Sequence, residues 1–166
     1  VNLHGSWVAM SIPFKENGAI DFNGFATLIE RQIRYGTNEL FILGSAAEVT
    51  LLTQDEKKEI VRFTEEVVHK RLPVFYSAAG VSTEAEVEFA KWLEGQGVDG
   101  VIFTIPPYVL IPQKDAFLHL DECMGAISLP CGIYNNPSRL GVQVSPETIQ
   151  ELSQRHANFV VDKEAT

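Results

Sequence analysis

Five polar side chains in this sequence stand where short apolar runs end, and their types suit work on a carbonyl group. Lys163 follows the run in "ANFVVDKEAT", and Tyr134 and Arg139 lie in "YNNPSRLG". Tyr108 ends "TIPPY", and Ser45 stands in "GSAAE", which also carries Glu48. A lysine, two tyrosines, a serine and an arginine gathered at one end of a sheet are the components of a carbonyl site. Each also has an ordinary structural reading. Ser45 can be a loop hydroxyl bonded to backbone, Tyr108 an amphipathic surface anchor, and Tyr134 a core aromatic with its hydroxyl satisfied. Arg139 can be a solvated charge and Lys163 a strand end in water. The set carries more than its members.

The elements that must position these residues are legible as a repeat. Apolar runs recur as "WVAM" from Trp7, "ELFIL" from Glu39, "PVFYS" from Pro73, "GVIFT" from Gly100, "CGIY" from Cys131 and "NFVV" from Asn158. They are rich in Val, Ile and Phe without clean polar alternation, the pattern of strands buried on both faces of a parallel sheet. Helical stretches lie between them. Thr53 with Glu56 reads as a capping box, Thr83 with Glu86 as a second, and Ser145-Pro146 as a cap followed by proline at the first helical position. Leu28, Ile29 and Ile33 give one helix an apolar stripe; Ile60, Val61, Thr64, Val67 and Val68 give another. Gly36 and Gly97 stand where helices stop. Six strands alternating with five helices predict an α/β fold with right-handed crossovers. A doubly wound open sheet and most of a (β/α)8 barrel both fit, and in both the chemistry gathers at the carboxyl ends of the strands.

Composition narrows the function classes. The chain has 166 residues, 45% apolar and 21% charged, with a net charge of -9. Nucleic-acid and anionic-membrane surfaces need clustered Lys and Arg, so neither partner is expected. No apolar run approaches the roughly 18 residues of a membrane span. Cys123 and Cys131 read as buried or half-buried thiols rather than a disulfide. His4, His69, His119 and His156 are scattered, with no Cys or carboxylate at ligand spacing, so no metal is expected. A cytoplasmic enzyme domain is the default. Gly95-Gln96-Gly97-Val98-Asp99-Gly100 matches G-x-G-x-x-G by letter, but it follows a helix and enters a strand. That is the reverse of what a pyrophosphate cradle needs, and it reads as a helix stop and turn.

The motifs in combination resemble the dihydrodipicolinate synthase family of class I pyruvate-dependent aldolases, whose wider group includes N-acetylneuraminate lyase and 2-keto-3-deoxy-sugar aldolases. "YNNPSRLG" is similar to that family's Tyr-Asn-x-Pro-Ser-Arg-x-Gly segment, and "DKEAT" to its strand with the Schiff-base lysine. "GSAAE" resembles its Gly-Thr/Ser-Thr-Gly-Glu loop, and "GSWVAMSIPF" and "TIPPYVLIPQ" also fit. The resemblance runs along the whole chain and implies a TIM (β/α)8 barrel, of which this chain covers about the first six strands. Residues 1–166 would then be a single barrel domain with its C-terminal part missing, since such a barrel takes about 250 residues.

By that resemblance Lys163 forms an imine with pyruvate and Tyr134 carries protons beside it. Ser45 and Tyr108 complete a hydroxyl relay, with Tyr108 lent to a neighbouring subunit of a homotetramer or dimer. Ser45 and Ala46 lie in the pyruvate loop, and Arg139 meets a carboxylate of the aldehyde. No cofactor is implied beyond the covalent imine on Lys163. The chemistry explains the residue types. A protonated imine withdraws electrons from C3 of pyruvate, so that a proton leaves and an enamine forms. The amine attacks only in its neutral form, which an apolar barrel mouth favours. The sequence departs from the family at Ala46, where a second hydroxyl is usual, and at Ala47, where a glycine is usual. Losing one donor to a charged group costs about 1.5–3 kcal/mol. Asp162 alternates away from Lys163, is expected to face the helical layer, and stays outside the catalytic set. The expected activity is that of 4-hydroxy-tetrahydrodipicolinate synthase, in lysine biosynthesis. The alternatives are a 2-keto-3-deoxy-sugar acid or N-acetylneuraminate-type lyase, and a non-catalytic keto-acid-binding relative, which Ala46 and Ala47 favour.

Overall fold

The computed structural model describes residues 3–166. The chain divides into two compact units, Val1–Tyr76 and Ser77–Thr166. In the first, β1 (Trp7–Ala9), β2 (Glu39–Ile42) and β3 (Val74–Ser77, ending at the boundary) pair in parallel, with α1 (Phe22–Arg34) and α2 (Gln54–Val68) as the crossovers. In the second, β4 (Gly100–Phe103), β5 (Cys131–Asn135) and β6 (Phe159–Glu164) pair in parallel. Its helices are α3 (Thr83–Gly95), α4 (Gln113–Gly125), a single turn α5 (Pro137–Leu140) and α6 (Pro146–Arg155). Two 3₁₀ turns, Ser45–Ala47 and Val49–Leu51, follow β2. No helix among the described residues is long and apolar enough to cross a membrane.

The helix starts obey the local code at α2 and α6. Thr53 and Glu56 form the full capping box, and Ser145 accepts from Thr148 N at the start of α6, with Pro146 in its first turn. In α2 most of the predicted stripe turns inward: Ile60, Val61, Thr64 and Val68 are buried, while Val67 is only half-buried. Gly36 (φ 79°) and Gly97 (φ 73°) follow the ends of α1 and α3, in a left-handed conformation that costs glycine little. The Gly95–Gly100 segment runs from the end of α3 into β4, as its order in the sequence implied.

Two expectations are corrected. The second capping box does not form. Ser82 caps α3 by accepting from Ala85 N at 3.2 Å, while Thr83 and Glu86 turn into the interior. Glu86 there meets several donors rather than the one N–H a capping box offers, and the Thr83 hydroxyl meets a histidine. Nor are all six strands buried on both faces. β2 to β5 are buried throughout, but β1 and β6 are only partly so. β1 pairs with β2 and β6 with β5, each at the margin of its unit's pairing. Cys123 and Cys131 are buried free thiols. Burial pushes the Cys131 thiol up to about 12 and raises Cys123 as well, which leaves both as small apolar groups at neutral pH.

Candidate functional site

Tyr134 and Lys163 come together because β5 and β6 approach unusually closely. Cys131 pairs with Phe159, but Gly132 pairs with Val161, so β6 carries one extra residue at this step. That bulge brings Tyr134 opposite Lys163; an unbroken register would set it opposite Asp162. The approach requires a glycine. A Cβ on Gly132 would lie 2.3 Å from the Val161 carbonyl oxygen and 2.4 Å from Val161 Cγ1. The result is Lys163 Nζ held 3.7 Å from the centroid of the Tyr134 ring. A cation over an aromatic face is worth about 0.5–2 kcal/mol, depending on its exposure to water.

The phenol is oriented from the segment that follows. Asn136 Nδ2 donates to the Tyr134 hydroxyl at 2.5 Å, and Ser138 Oγ donates to Asn136 Oδ1 at 2.6 Å. Asn135, buried, donates to the Val144 carbonyl and to Glu164 Oε2, both at 2.9 Å, and accepts from Val144 N at 3.0 Å. The two asparagines therefore fix both the Tyr134 phenol and the end of β6. Both stand within "YNNPSRLG", where the sequence alone gives them no role. The available signal was a pair of short amides at the end of a fully apolar strand, where buried polar groups need partners.

Arg139 lies on α5, exposed, one turn beyond Asn136. Tyr108 is 99% exposed and left-handed at φ 80°, a conformation of order 1–3 kcal/mol unfavourable for a residue with a Cβ. Ser45 and Ala46 belong to the first unit, in the 3₁₀ turn after β2, and both are exposed. Leu43 (φ 62°) and Glu48 (φ 52°) bracket that turn in left-handed conformations. Ala47 N and Glu48 N donate to Gly44 O and Ser45 O within it. Asp162 sits opposite Ile133, on the strand face away from Lys163, and its Oδ1 is buried without a hydrogen-bond partner among the described residues. Burial, then the neighbouring Glu164 charge, raises its carboxyl to about 6.

A further cluster contradicts the expectation that no Cys or carboxylate stands at ligand spacing from a histidine. Glu86, His119 and Cys123 are all buried, with potential ligand atoms within 4.8 Å of one another. His119 and Cys123 are four apart on one face of α4. Both His119 nitrogens are already engaged, by Thr83 Oγ1 at 2.8 Å and the Thr104 carbonyl at 2.9 Å. Burial holds its pKa below the usual range, so the ring is neutral. As arranged, the cluster is a hydrogen-bond network.

The profile of the dihydrodipicolinate synthetase family matches residues 2–166. The chain belongs to that family. The 4-hydroxy-tetrahydrodipicolinate synthase of Clostridium novyi (strain NT) is 35% identical over 162 residues, 98% of this chain and 54% of the relative. The chain thus spans about half the length of the curated family members it matches. The solved 4-hydroxy-tetrahydrodipicolinate synthase of the methanotroph Methylacidiphilum fumariolicum SolV is 34% identical, with a TM-score of 0.95 over 99% of this chain and 54% of its own. A prophage protein of the same family from E. coli K12, solved in complex with pyruvate, is 26% identical, with a TM-score of 0.93 over 98% of this chain and 54% of its own. The fold class is α/β, six strands of a dihydrodipicolinate synthase-type (β/α)8 barrel.

Proposed function

We propose that this chain is part of a pyruvate-dependent class I aldolase of the 4-hydroxy-tetrahydrodipicolinate synthase type, acting in the cytoplasm in lysine biosynthesis. The observation that carries this reading is the amine of Lys163 held 3.7 Å from the ring of Tyr134, whose hydroxyl is itself oriented by Asn136. Lys163 Nζ attacks the ketone carbon of pyruvate, water leaves, and a protonated imine remains. Loss of a proton from C3 gives the enamine, which adds to an aldehyde carbonyl and forms the carbon–carbon bond. Hydrolysis of the imine then returns the free amine. Tyr134 moves protons between these steps, with Ser45 and Tyr108 as the relay. No separate cofactor is needed, because the lysine supplies the electron sink.

Arg139 supplies a cation for a carboxylate on the aldehyde. The pyruvate carboxylate is taken by the turn at Ser45 and Ala46, where backbone N–H groups replace the hydroxyl that Ala46 lacks. The near-total exposure of the Tyr108 side chain supports its entry into a neighbouring copy, in a homotetramer or dimer.

Reduction with borohydride in the presence of pyruvate tests the reading. A pyruvate-derived mass on the peptide holding Lys163, lost in Lys163→Ala, is expected. Label on a different lysine refutes the assignment. Pyruvate bound without any trapped adduct identifies a keto-acid-binding relative instead. Trapping with turnover only of sugar-acid aldehydes assigns the sister lyases.

A further inference from the structure

The loop that presents Tyr108 begins at Thr104, directly after β4, and the interior grips that residue at every polar atom it has. His119 Nε2 lies 2.9 Å from the Thr104 carbonyl. Glu86 Oε1 accepts from Thr104 Oγ1 at 3.3 Å, and Glu86 Oε2 from Thr104 N at a long 3.5 Å. A carbonyl can only accept, so Nε2 carries the proton, and Nδ1 accepts from the Thr83 hydroxyl at 2.8 Å. Glu86 Oε1 also accepts from Gly80 N at 3.1 Å. The side chains of α3 and α4 thus close on the end of β4 from two sides. Glu86 is 0% and His119 5% exposed, so water does not compete for these bonds.

Between Thr104 and Tyr108 lie only Ile105, Pro106 and Pro107. Ile105 and Pro106 are buried, and the prolines lock two backbone φ angles. An orientation set at Thr104 is therefore carried along a short stiff arm to Tyr108, whose own φ of 80° needs outside support. The far end of the loop is stapled separately. Gln113 Nε2 donates to the Gln143 carbonyl at 2.6 Å, and Gln113 Oε1 accepts from Ser145 N at 2.9 Å and Thr148 Oγ1 at 3.0 Å.

We propose that His119 and Glu86 are positioning residues for Tyr108, holding Thr104 so that the phenol is presented in one orientation. The proposal rests on the reading of Tyr108 as part of the proton relay, and its test separates the two. His119→Leu removes both ring bonds; His119→Gln keeps a donor near the place of Nε2. Misplacing a relay group by a fraction of an ångström is expected to lower kcat about tenfold. His119→Leu should show that loss with pyruvate trapping intact, and His119→Gln should recover most of it. In a Tyr108→Phe background His119→Leu should cause no further loss, since it acts through the missing hydroxyl. Hydrogen exchange should quicken at the amides of Ile105 and of Tyr108 to Ile111 in His119→Leu and not in His119→Gln. Multiplying losses in the double variant, equal defects in Leu and Gln, or unchanged exchange overturn the proposal. If the unmutated protein neither traps pyruvate nor turns over, the functional reading fails and exchange alone decides the clamp. Stoichiometric Zn²⁺ uptake that is lost in both His119→Leu and Cys123→Ser, with loop exchange unchanged, replaces the clamp by a metal site.

Discussion

Gly132→Ala is the sharpest probe of how the β5–β6 approach creates the site. The new Cβ would stand 2.3 Å from the Val161 carbonyl oxygen, 2.4 Å from Val161 Cγ1 and 3.1 Å from Ile102 Cδ1. Ile102 can shift a methyl group, and Val161 can change rotamer. The carbonyl oxygen is backbone and cannot move without its strand. Bringing that contact from 2.3 Å to a tolerable 3.0 Å moves β6 outward by about 0.7 Å, a displacement in the range that costs a packed interior about 1–3 kcal/mol. Tyr134 and Lys163 lie two residues further along the same pair of strands, so their 3.7 Å contact opens with it. A misplacement near 1 Å lowers a reaction rate about 10²-fold. Chemical denaturation should therefore give a loss of about 1–3 kcal/mol, and single-turnover borohydride trapping should slow by roughly one to two orders of magnitude. A Gly132→Ala protein within about 0.5 kcal/mol of the parent, trapping pyruvate at the parent rate, would refute the close approach as the cause of the site.

Asp162→Asn should show a pH-dependent stability difference. The parent carboxyl titrates near 6 in the fold against 3.8 as its ordinary value, so the folded state holds the proton more tightly. Its favourable contribution is complete below about pH 4 and is lost as the pH rises through 6. The variant should be more stable than the parent by about 1 kcal/mol at pH 8, after allowance for its partial exposure, and equal to it at pH 4. A thermal-melt difference that does not vary with pH contradicts this. Tyr134→Phe keeps the ring under Lys163 but strands Asn136 Nδ2, so it should cost about 1–3 kcal/mol of stability and about 10²–10⁴ in turnover. Unchanged kcat in the folded variant returns Tyr134 to a purely structural role. Arg139→Ala should raise KM at least about tenfold for a carboxylate-bearing aldehyde while pyruvate trapping persists. Equal losses with neutral and anionic aldehydes count against the arginine.

Local chemistry decided what the sequence could show by itself. Six apolar runs became six strands at the places read, because runs of Val, Ile and Phe have few other ways to bury themselves. The Thr53–Glu56 box formed because cap, box and stripe all lie within one helix. The family was legible too, since its motifs are contiguous strings. Contacts that cross the sequence were decided only by tertiary structure. Thr83 and Glu86 spell a capping box locally, yet the interior offered Glu86 the donors of Thr104 and Gly80 and offered Thr83 the ring of His119. No helical code contains that competition. The Tyr134–Lys163 contact depends on one extra residue in β6 opposite Gly132. Strand periodicity places Lys163 and Asp162 on opposite faces, but which of them meets Tyr134 is a matter of register. That register is set by a bulge whose condition, a missing Cβ against the Val161 carbonyl, exists only once β5 and β6 lie side by side.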